Sequence, residues 1–431
     1  MSEPALPART FEASHPRGEV YRRWALEITS IPTVAGREER VEAWIDAWLA
    51  ERDDLAVRRD AHGNTEVRFA DMPEAGRAPD GAHGLDPNAA PIYFTAHLDH
   101  PAFVVHEPNT DDRSRATLEF RGGVMEAYFK GARVRIDPDD GAAPVEGAIV
   151  ERIDPEKLAG TGVIFPRYTI ALDAPADLAG GEIAAWALDP SSIEPDEFGG
   201  LLHAPACDDL AALAAAICAL EELRFIRRGD ASGVGDVRLL LTRSEEIGFI
   251  GAIGASRDRF MPAGSRVIAL ENSRSFPGDS PIHGGPIVRV GDRVSVFTPE
   301  LTSAVADVAE RLAGGSAHML AIETNGDRPW KWQRKLMPGG ACEASVFCAY
   351  GYDSTCVCLP LGNYHNMAGL SEMQAGTHQG RPRIAREYVG VDDYCGMIDL
   401  LVACGTSLAS KPAFRERVER LWTERSFVLD R

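Results

Sequence analysis

The sequence predicts an α/β fold in which a mixed central sheet carries helices on both faces, interrupted by a small inserted all-β unit. Three observations predict it. Four short apolar runs, residues 92–96 (IYFTA), 237–242 (VRLLLT), 266–270 (RVIAL) and 356–359 (CVCL), read as buried strands. Helical patterns alternate with them, residues 208–225 among them, and such alternation argues for a parallel or mixed sheet. Between about Pro101 and Ala204 the helical period disappears, and short β-type runs separated by Gly, Pro and Asp turns replace it. The expected division is a main unit of residues 1–100 and 205–431 and an inserted β-barrel-like unit of residues 101–204.

The elements follow in order. Residues 1 to about 18 read as a mobile tail. Residues 20–52 are helical, with Trp24, Ile28, Val41, Trp44, Ile45 and Leu49 at three- and four-residue steps. A break at residues 32–36 splits them into two helices. Residues 55–69 read as strand, turn at Gly63, strand, and 71–90 as a Pro/Gly/Ala-rich surface loop. The run 92–96 ends in HLDH. In the insertion, strands are expected at 117–120, 132–136, 147–153, 168–172 and 182–186. Beyond it, helices are expected at 208–225, from the Glu245–Glu246 pair to about 258, and at 299–312, 341–350 and 385–408. Residues 317–323 read as a further strand.

Composition bounds the function classes. The chain of 431 residues is 45% hydrophobic and 26% charged, which is ordinary for a globular protein. A formal net charge of −20 argues against a nucleic-acid partner. The first twenty residues hold no apolar core, so no secretory signal is expected. The longest apolar run, residues 210–220, is too short to span a bilayer, so no membrane partner is expected. Eight scattered cysteines without a C-x-x-C pair read as reduced thiols in a cytoplasmic protein.

Polar residues gather where the strands end. His97 and Asp99 follow the first run, Glu245 and Glu246 the second, Glu271 the third and His365 the fourth, while Asp208 and Asp209 open a helix. Each has an ordinary explanation alone. Asp208 suits a helix N-cap, adjacent acids suit the first turn of a helix, and Glu271 suits a solvated loop. Together they fall on the edge where an α/β sheet builds sites. Two histidines and three carboxylates form a ligand set for zinc, cobalt or manganese. A dinuclear centre needs one bridging carboxylate and two further ligands per ion, with the ions roughly 3.5–4 Å apart. That count leaves one acid as a general base. Asp99, two residues after His97, points the same way and suits the other imidazole nitrogen.

The ordered set HLD, ACDDLAAL, TRSEEIGFIGA, LENS and GNYHN resembles the co-catalytic metallo-aminopeptidases that assemble into tetrahedral particles, glutamyl and deblocking aminopeptidases among them. The wider zinc-exopeptidase clan shares the order. The resemblance extends to SIPTVAG at 30–36, DAHGN at 60–64 and MPGGACEA at 337–344. It implies a zinc-exopeptidase-type fold with a β insertion between the first histidine and the bridging aspartate. By motif position it implies His97, Asp208, Glu246, Glu271 and His365 as metal ligands, Asp208 bridging. It implies Glu245 as general base and Asp99 as the residue supporting His97. The chain departs from the pattern twice: Glu271 stands where Asp is frequent, and Asp209 follows the bridging acid where Asn is usual. Asp208 is preferred as the bridge, and Asp209 stays open.

The resulting expectation is removal of N-terminal residues from peptides by an enzyme holding two divalent ions, zinc first, with cobalt or manganese as alternatives. The expected partners are a peptide substrate and copies of the chain itself, from dimer to dodecamer. The alternatives are a related dinuclear deacylase or carboxypeptidase for small N-acyl or amide substrates, and a metal-free binding protein of the same fold. Trp330 and Trp332 suit either a pocket wall or a packed turn, and Cys207 reads as a buried small residue. Arg274, Arg289 and Lys331 read first as surface residues, with contact to a substrate carboxylate as the alternative for each.

Overall fold

A computed structural model describes residues 15–72, 90–139, 141–153, 165–317, 330–408 and 413–429. Most of the expected tail and of the 71–90 loop, and all but the first residue of the 317–323 strand, lie outside the described residues.

The main sheet has eight strands: β1 (Leu55–Arg59), β2 (Thr65–Phe69), β3 (Ile92–His97) and five that follow the insertion. The insertion contributes β4 (Ala102–Val105), β5 (Arg115–Arg121), β6 (Arg133–Asp137), β7 (Val145–Arg152), β8 (Arg167–Leu172) and β9 (Ile183–Trp186). Then come β10 (Ser192–Glu194) and β11 (Leu201–Ala204). The main sheet resumes with β12 (Val237–Thr242), β13 (Arg266–Arg274), β14 (Ile287–Gly291), β15 (Gln333–Leu336) and β16 (Asp353–Leu361). Its order is β1-β2-β12-β3-β13-β16-β14-β15. The inner four, β12-β3-β13-β16, are mutually parallel, and β2 and β14 join them antiparallel. All four inner strands therefore end on one edge.

Alternation along these strands explains the two covered faces. Ile92, Phe94 and Ala96 of β3, with Leu239 and Leu241 of β12, join the large core under helices Leu210–Gly229 and Val391–Ser407. Tyr93, Leu240 and Val267 point the other way and pack with Ala252, Ala255 and Phe347 of helices Ile250–Arg257 and Glu343–Ala349. A strand apolar on both faces has no amphipathic alternation, which is why it reads as a continuous run. The first 15 residues of helix Leu210–Gly229 are all buried, as expected of a helix apolar all round.

The six strands β4-β5-β8-β7-β6-β9 close a barrel. Phe103, Phe120, Phe129, Tyr168 and Trp186 fill it, with Phe129 and Tyr168 stacked at 4.3 Å. β10 and β11 lie outside the barrel; β11 pairs with β10 on one side and with β19 (Glu387–Gly390) on the other, and β17 (Met367–Ala368) and β18 (Arg383–Ile384) form a short two-stranded ribbon.

Several elements differ from the sequence reading. Residues 385–408 are not one helix: β19 comes first, and the helix starts at Val391 after Gly390 in extended backbone. Pairing with β11 holds that segment extended against its helical pattern. β4, β14 and β15 went unread, each being only four or five residues long. β13 continues past Leu270 through Glu271 to Arg274 because β16 pairs with it throughout. Trp330 and Trp332 are packed in the main core.

Candidate active site

The carboxyl edge of the parallel strands brings the singled-out residues together. His97 is the last residue of β3, Glu271 lies near the end of β13, and His365 follows β16. Glu245 and Glu246 sit in the turn after β12, before the helix that begins only at Ile250, so they are not first-turn helix acids. Asp209, not Asp208, occupies the N-cap of helix Leu210–Gly229, and its side chain makes no capping bond. The Asp208–Asp209 peptide is cis.

Asp208 lies between the two histidines. Its Oδ1 is 3.6 Å from His97 Nε2 and its Oδ2 is 3.5 Å from His365 Nε2. Glu271 Oε1 and Glu245 Oε2 lie 3.9 and 4.0 Å from His97 Nε2. Glu246 Oε1 lies 3.4 Å from His365 Nε2. One ligand atom from each of His97, Asp208, Asp209 and Glu271 lies within 4.8 Å of the others, and the same holds for Asp208, Glu246 and His365. Both oxygens of Asp209 have donors: Asn272 Nδ2 at 3.2 Å and the His97 N–H at 3.3 Å.

Both imidazoles are fixed from behind by main-chain oxygens. His97 Nδ1 donates to the carbonyl of Asp99 at 3.0 Å, and His365 Nδ1 donates to that of Gly123 at 2.5 Å. Each ring therefore turns Nε2 inward. The carboxylate of Asp99, 3.5 Å from His97 Nδ1, accepts the main-chain N–H groups of Glu245 at 2.9 Å and Glu246 at 3.0 Å. It thus holds both acids of the β12 turn as well as facing the histidine it was expected to support.

Sequence reading missed four further contributors. His100 donates from Nδ1 to the main-chain oxygen of Asp208 at 2.5 Å and meets Asn366 Oδ1 at 3.0 Å. Glu387 Oε2 accepts the N–H groups of Cys207 and Asp208 at 2.7 and 3.0 Å. Asn272 bonds the carbonyl of Cys207. His100, Asn272 and Asn366 stand inside the motifs HLDH, LENS and GNYHN and were legible there; Glu387 stands in no motif. Cys207 itself is buried, and burial pushes its thiol well above the usual range, which leaves it inert.

The electrostatics are those of acids crowded out of water. Burial holds the Glu245 carboxyl well above the ordinary range; Glu271 and Glu246 add to this, and His97 opposes it. Burial pushes Glu246 up to about 7. Asp208 goes the other way: its burial is outweighed by the two histidines that face it, His365 and His97. Three inward atoms, His97 Nε2, Asp208 Oδ1 and Glu246 Oε1, are buried without a hydrogen-bond partner. Buried polar atoms are normally satisfied. Two imidazole nitrogens and several carboxylate oxygens converging without protein donors have the chemistry of a divalent-cation site, so these residues fit such ions.

The residues open onto a cavity of about 570 Å³. Asp208, Glu245, Glu246, Glu271 and His365 line one part; Val124, Phe249, Phe276, Tyr364 and Leu370 supply apolar wall. Arg274 and Arg289 also line it, whereas Lys331 lies elsewhere, bonded to the carbonyl of His283. A separate group of His283, Asp392 and Asp393 is internally paired, His283 Nδ1 meeting Asp392 at 2.6 Å. No helix among the described residues is long and apolar enough to cross a membrane.

No family model and no curated protein matches the chain. Solved structures do. A TET aminopeptidase from the marine sediment archaeon Thaumarchaeota archaeon SCGC AB-539-E09 superposes with a TM-score of 0.64 at 17% identity, covering 91% of this chain and 98% of its own. The TET1 peptidase of Pyrococcus horikoshii, described as assembling into a tetrahedron or a large octahedral shell, gives 0.61 at 19% identity, covering 90% and 100%. An aminopeptidase of the archaeon Desulfurococcus kamchatkensis gives 0.64 at 17% identity, covering 93% and 98%. The shared architecture includes the mixed sheet and the inserted barrel, and the chain has the fold of the tetrahedral TET aminopeptidases.

Proposed function

We propose that the chain is a metal-dependent aminopeptidase that removes N-terminal residues from peptides. The observation that carries this reading is the trio of buried, unbonded atoms His97 Nε2, Asp208 Oδ1 and Glu246 Oε1, with Asp208 and Glu246 lining the cavity. His97, Glu271 and one oxygen of Asp208 would hold one divalent ion. His365, Glu246 and the other oxygen would hold a second. Asp208 is favoured over Asp209 because both oxygens of Asp209 already accept hydrogen bonds. Zinc is the expected metal, with cobalt and manganese suiting the same donors. Such ions would supply Lewis acidity, acidifying a water molecule and polarising the scissile carbonyl.

The side chains do the rest. Glu245 takes the proton of the attacking water at its carboxylate and passes it to the leaving amine nitrogen. A carboxyl held above its ordinary range suits that work at neutral pH. Asp99 keeps Glu245 and Glu246 in register through their N–H groups. Gly123, in the inserted unit of residues 101–204, orients His365 of the catalytic unit of residues 1–100 and 205–431. The fold-mates described as a dodecamer and as shells support self-association into a homo-oligomer. The eight free cysteines support a reducing, cytoplasmic setting.

The test is an assay of metal-supplemented protein on amino-acid amides and on N-acetyl amino acids. Release of free amino acids from the amides alone is expected. Hydrolysis of only the N-acetyl series would make the chain a deacylase.

A further inference from the structure

The segments SIPTVAG at 30–36 and DAHGN at 60–64 take no part in the chemistry above, yet both converge on the turn that carries Glu245 and Glu246. Beyond Thr242 the chain leaves β12, and its next N–H groups need acceptors outside the ladder. Four in succession find side-chain oxygens. The N–H of Arg243 donates to Asn64 Oδ1 at 3.2 Å and that of Ser244 to Glu38 Oε1 at 3.0 Å. Those of Glu245 and Glu246 donate to the two oxygens of Asp99 at 2.9 and 3.0 Å. Three separate segments thus hold four consecutive amides.

Glu38 does more than accept one of them. It stands just past SIPTVAG, immediately before helix Glu39–Ala50, and is 0% exposed. Its Oε1 also accepts the Gly36 N–H at 2.8 Å and Ser244 Oγ at 3.1 Å. Its Oε2 accepts Nε and Nη2 of Arg243 at 2.8 and 2.7 Å. The turn before it is itself anchored. Thr33 Oγ1 donates to the carbonyl of Leu98 at 2.8 Å, and Arg121 of the barrel donates to that of Ala35 at 2.7 Å.

The backbone that Glu38 grips is strained. Ser244 has φ 55°, in the left-handed region, which a residue with a Cβ adopts at a cost. Such conformations persist where the surroundings over-determine them, and here Glu38 bonds both the N–H and the hydroxyl of Ser244. Glu245 and Glu246 follow directly, so the φ of Ser244 sets the direction in which both leave the turn. The helix after the turn closes on the same clamp: a Cβ at Gly251 would lie 2.5 Å from Asn64 Oδ1.

We propose that Glu38 is a positioning residue for the site: its carboxylate holds Ser244 left-handed and so aims Glu245 towards His97 and Glu246 towards His365. This rests on the reading of Glu245 as base and Glu246 as metal ligand. Glu38 acts through Ser244 and does not itself meet the substrate.

The test uses the full-length chain and two readouts. Chelator-stripped protein is titrated with Zn²⁺ by calorimetry, and kcat and KM for leucyl-amide hydrolysis are measured on metal-supplemented protein. In Glu38→Ala, the affinity for one zinc equivalent and kcat are each expected to fall roughly 10- to 100-fold, with KM within about threefold. Adding Ser244→Gly removes the Cβ cost of the left-handed backbone and is expected to recover about tenfold of both losses. Glu38→Gln keeps an oxygen for Ser244, and Arg243 keeps Glu42 at 3.6 Å, so both readouts are expected to stay within about threefold of wild type. A lowered Tm in Glu38→Ala with zinc affinity and kcat at wild-type values would make the role purely structural and overturn the proposal. So would losses that Ser244→Gly leaves unchanged. Losses in Glu38→Gln as large as in Glu38→Ala would place the effect in the Arg243 ion pair and overturn it too. If Glu38→Ala does not fold, Ser244→Val at its half-buried position decides, because a β-branched residue disfavours positive φ; wild-type zinc affinity and kcat there overturn the proposal. A wild-type protein that binds zinc but hydrolyses no aminoacyl substrate overturns the aminopeptidase reading alone, and the zinc titrations still test Glu38.

Discussion

His365 Nδ1 lies 2.5 Å from the main-chain oxygen of Gly123. The two residues belong to different units: Gly123 follows β5 of the barrel, and His365 follows β16 of the main sheet. The bond commits the Nδ1 proton outward and leaves Nε2 to face Asp208 and Glu246. The barrel therefore takes part in the site. His365→Ala removes a ligand from one ion only, so metal content by atomic emission is expected to fall from about two to about one per chain, since the other ion keeps its set. Activity is expected to fall with it. Unchanged stoichiometry would show that His365 is not a ligand.

Glu245 differs from Glu246 in the histidine it approaches, 4.0 Å from His97 against 3.4 Å from His365. Glu245→Gln preserves shape and removes the proton acceptor. Turnover is expected to fall by about 10²- to 10⁴-fold, with metal content unchanged. Loss of metal in that variant would make Glu245 a ligand and leave the base unassigned.

Asp99 accepts the N–H groups of both Glu245 and Glu246. Asp99→Asn replaces one acceptor oxygen by an NH₂ group that points a donor at a donor. Metal affinity or kcat/KM is expected to fall roughly 10- to 100-fold, with the melting temperature little changed. Wild-type kinetics would confine Asp99 to packing.

Arg238 is fully buried at the amino-terminal part of β12, away from the site. It meets Asp236 through two bonds at 2.9 and 2.8 Å and lies 3.5 Å from Glu66. Arg238→Met strands Asp236 in the core, whereas Glu66 keeps Arg58 at 2.9 Å. Denaturant unfolding is expected to show a loss of about 3–5 kcal/mol. A loss below about 1 kcal/mol would mean that the network contributes little.

His283 sits between Asp196 at 2.9 Å and Asp392 at 2.6 Å. Against its partial burial, Asp392 and the neighbouring Asp393 and Asp196 raise its pKa above the ordinary value. A histidine raised on folding stabilises fully below its unfolded value, about 6.5, and that contribution is lost as pH rises through the folded value. The melting temperature of the wild type should therefore exceed that of His283→Gln by more at pH 6 than at pH 9. An equal gap at both pH values would contradict the ion pair.

Much of this was legible in the sequence for a physical reason. β3, β12, β13 and β16 are buried on both faces, so they appear as unbroken apolar runs, and polar residues at their ends stand out. The ligand-type residues were legible because side-chain identity carries their chemistry. Gly123 was not, because its contribution is a main-chain oxygen that any residue possesses. Glu387 was hidden in a segment with a helical pattern that β11 holds extended. The continuation of β13 through Glu271, Asn272 and Ser273 was hidden because pairing with β16 and the hydrogen bonds of Asn272 carry polar residues into a strand.

The central claim is that Asp208 joins two ion sites, one on His97 and one on His365. The most direct measurement is calorimetric titration of chelator-stripped protein with Zn²⁺, with leucyl-amide hydrolysis followed at each addition. The account predicts about two equivalents bound and activity that rises with them, and binding at both sites weakened in Asp208→Asn. Saturation at one equivalent, or full activity in Asp208→Asn, would contradict it.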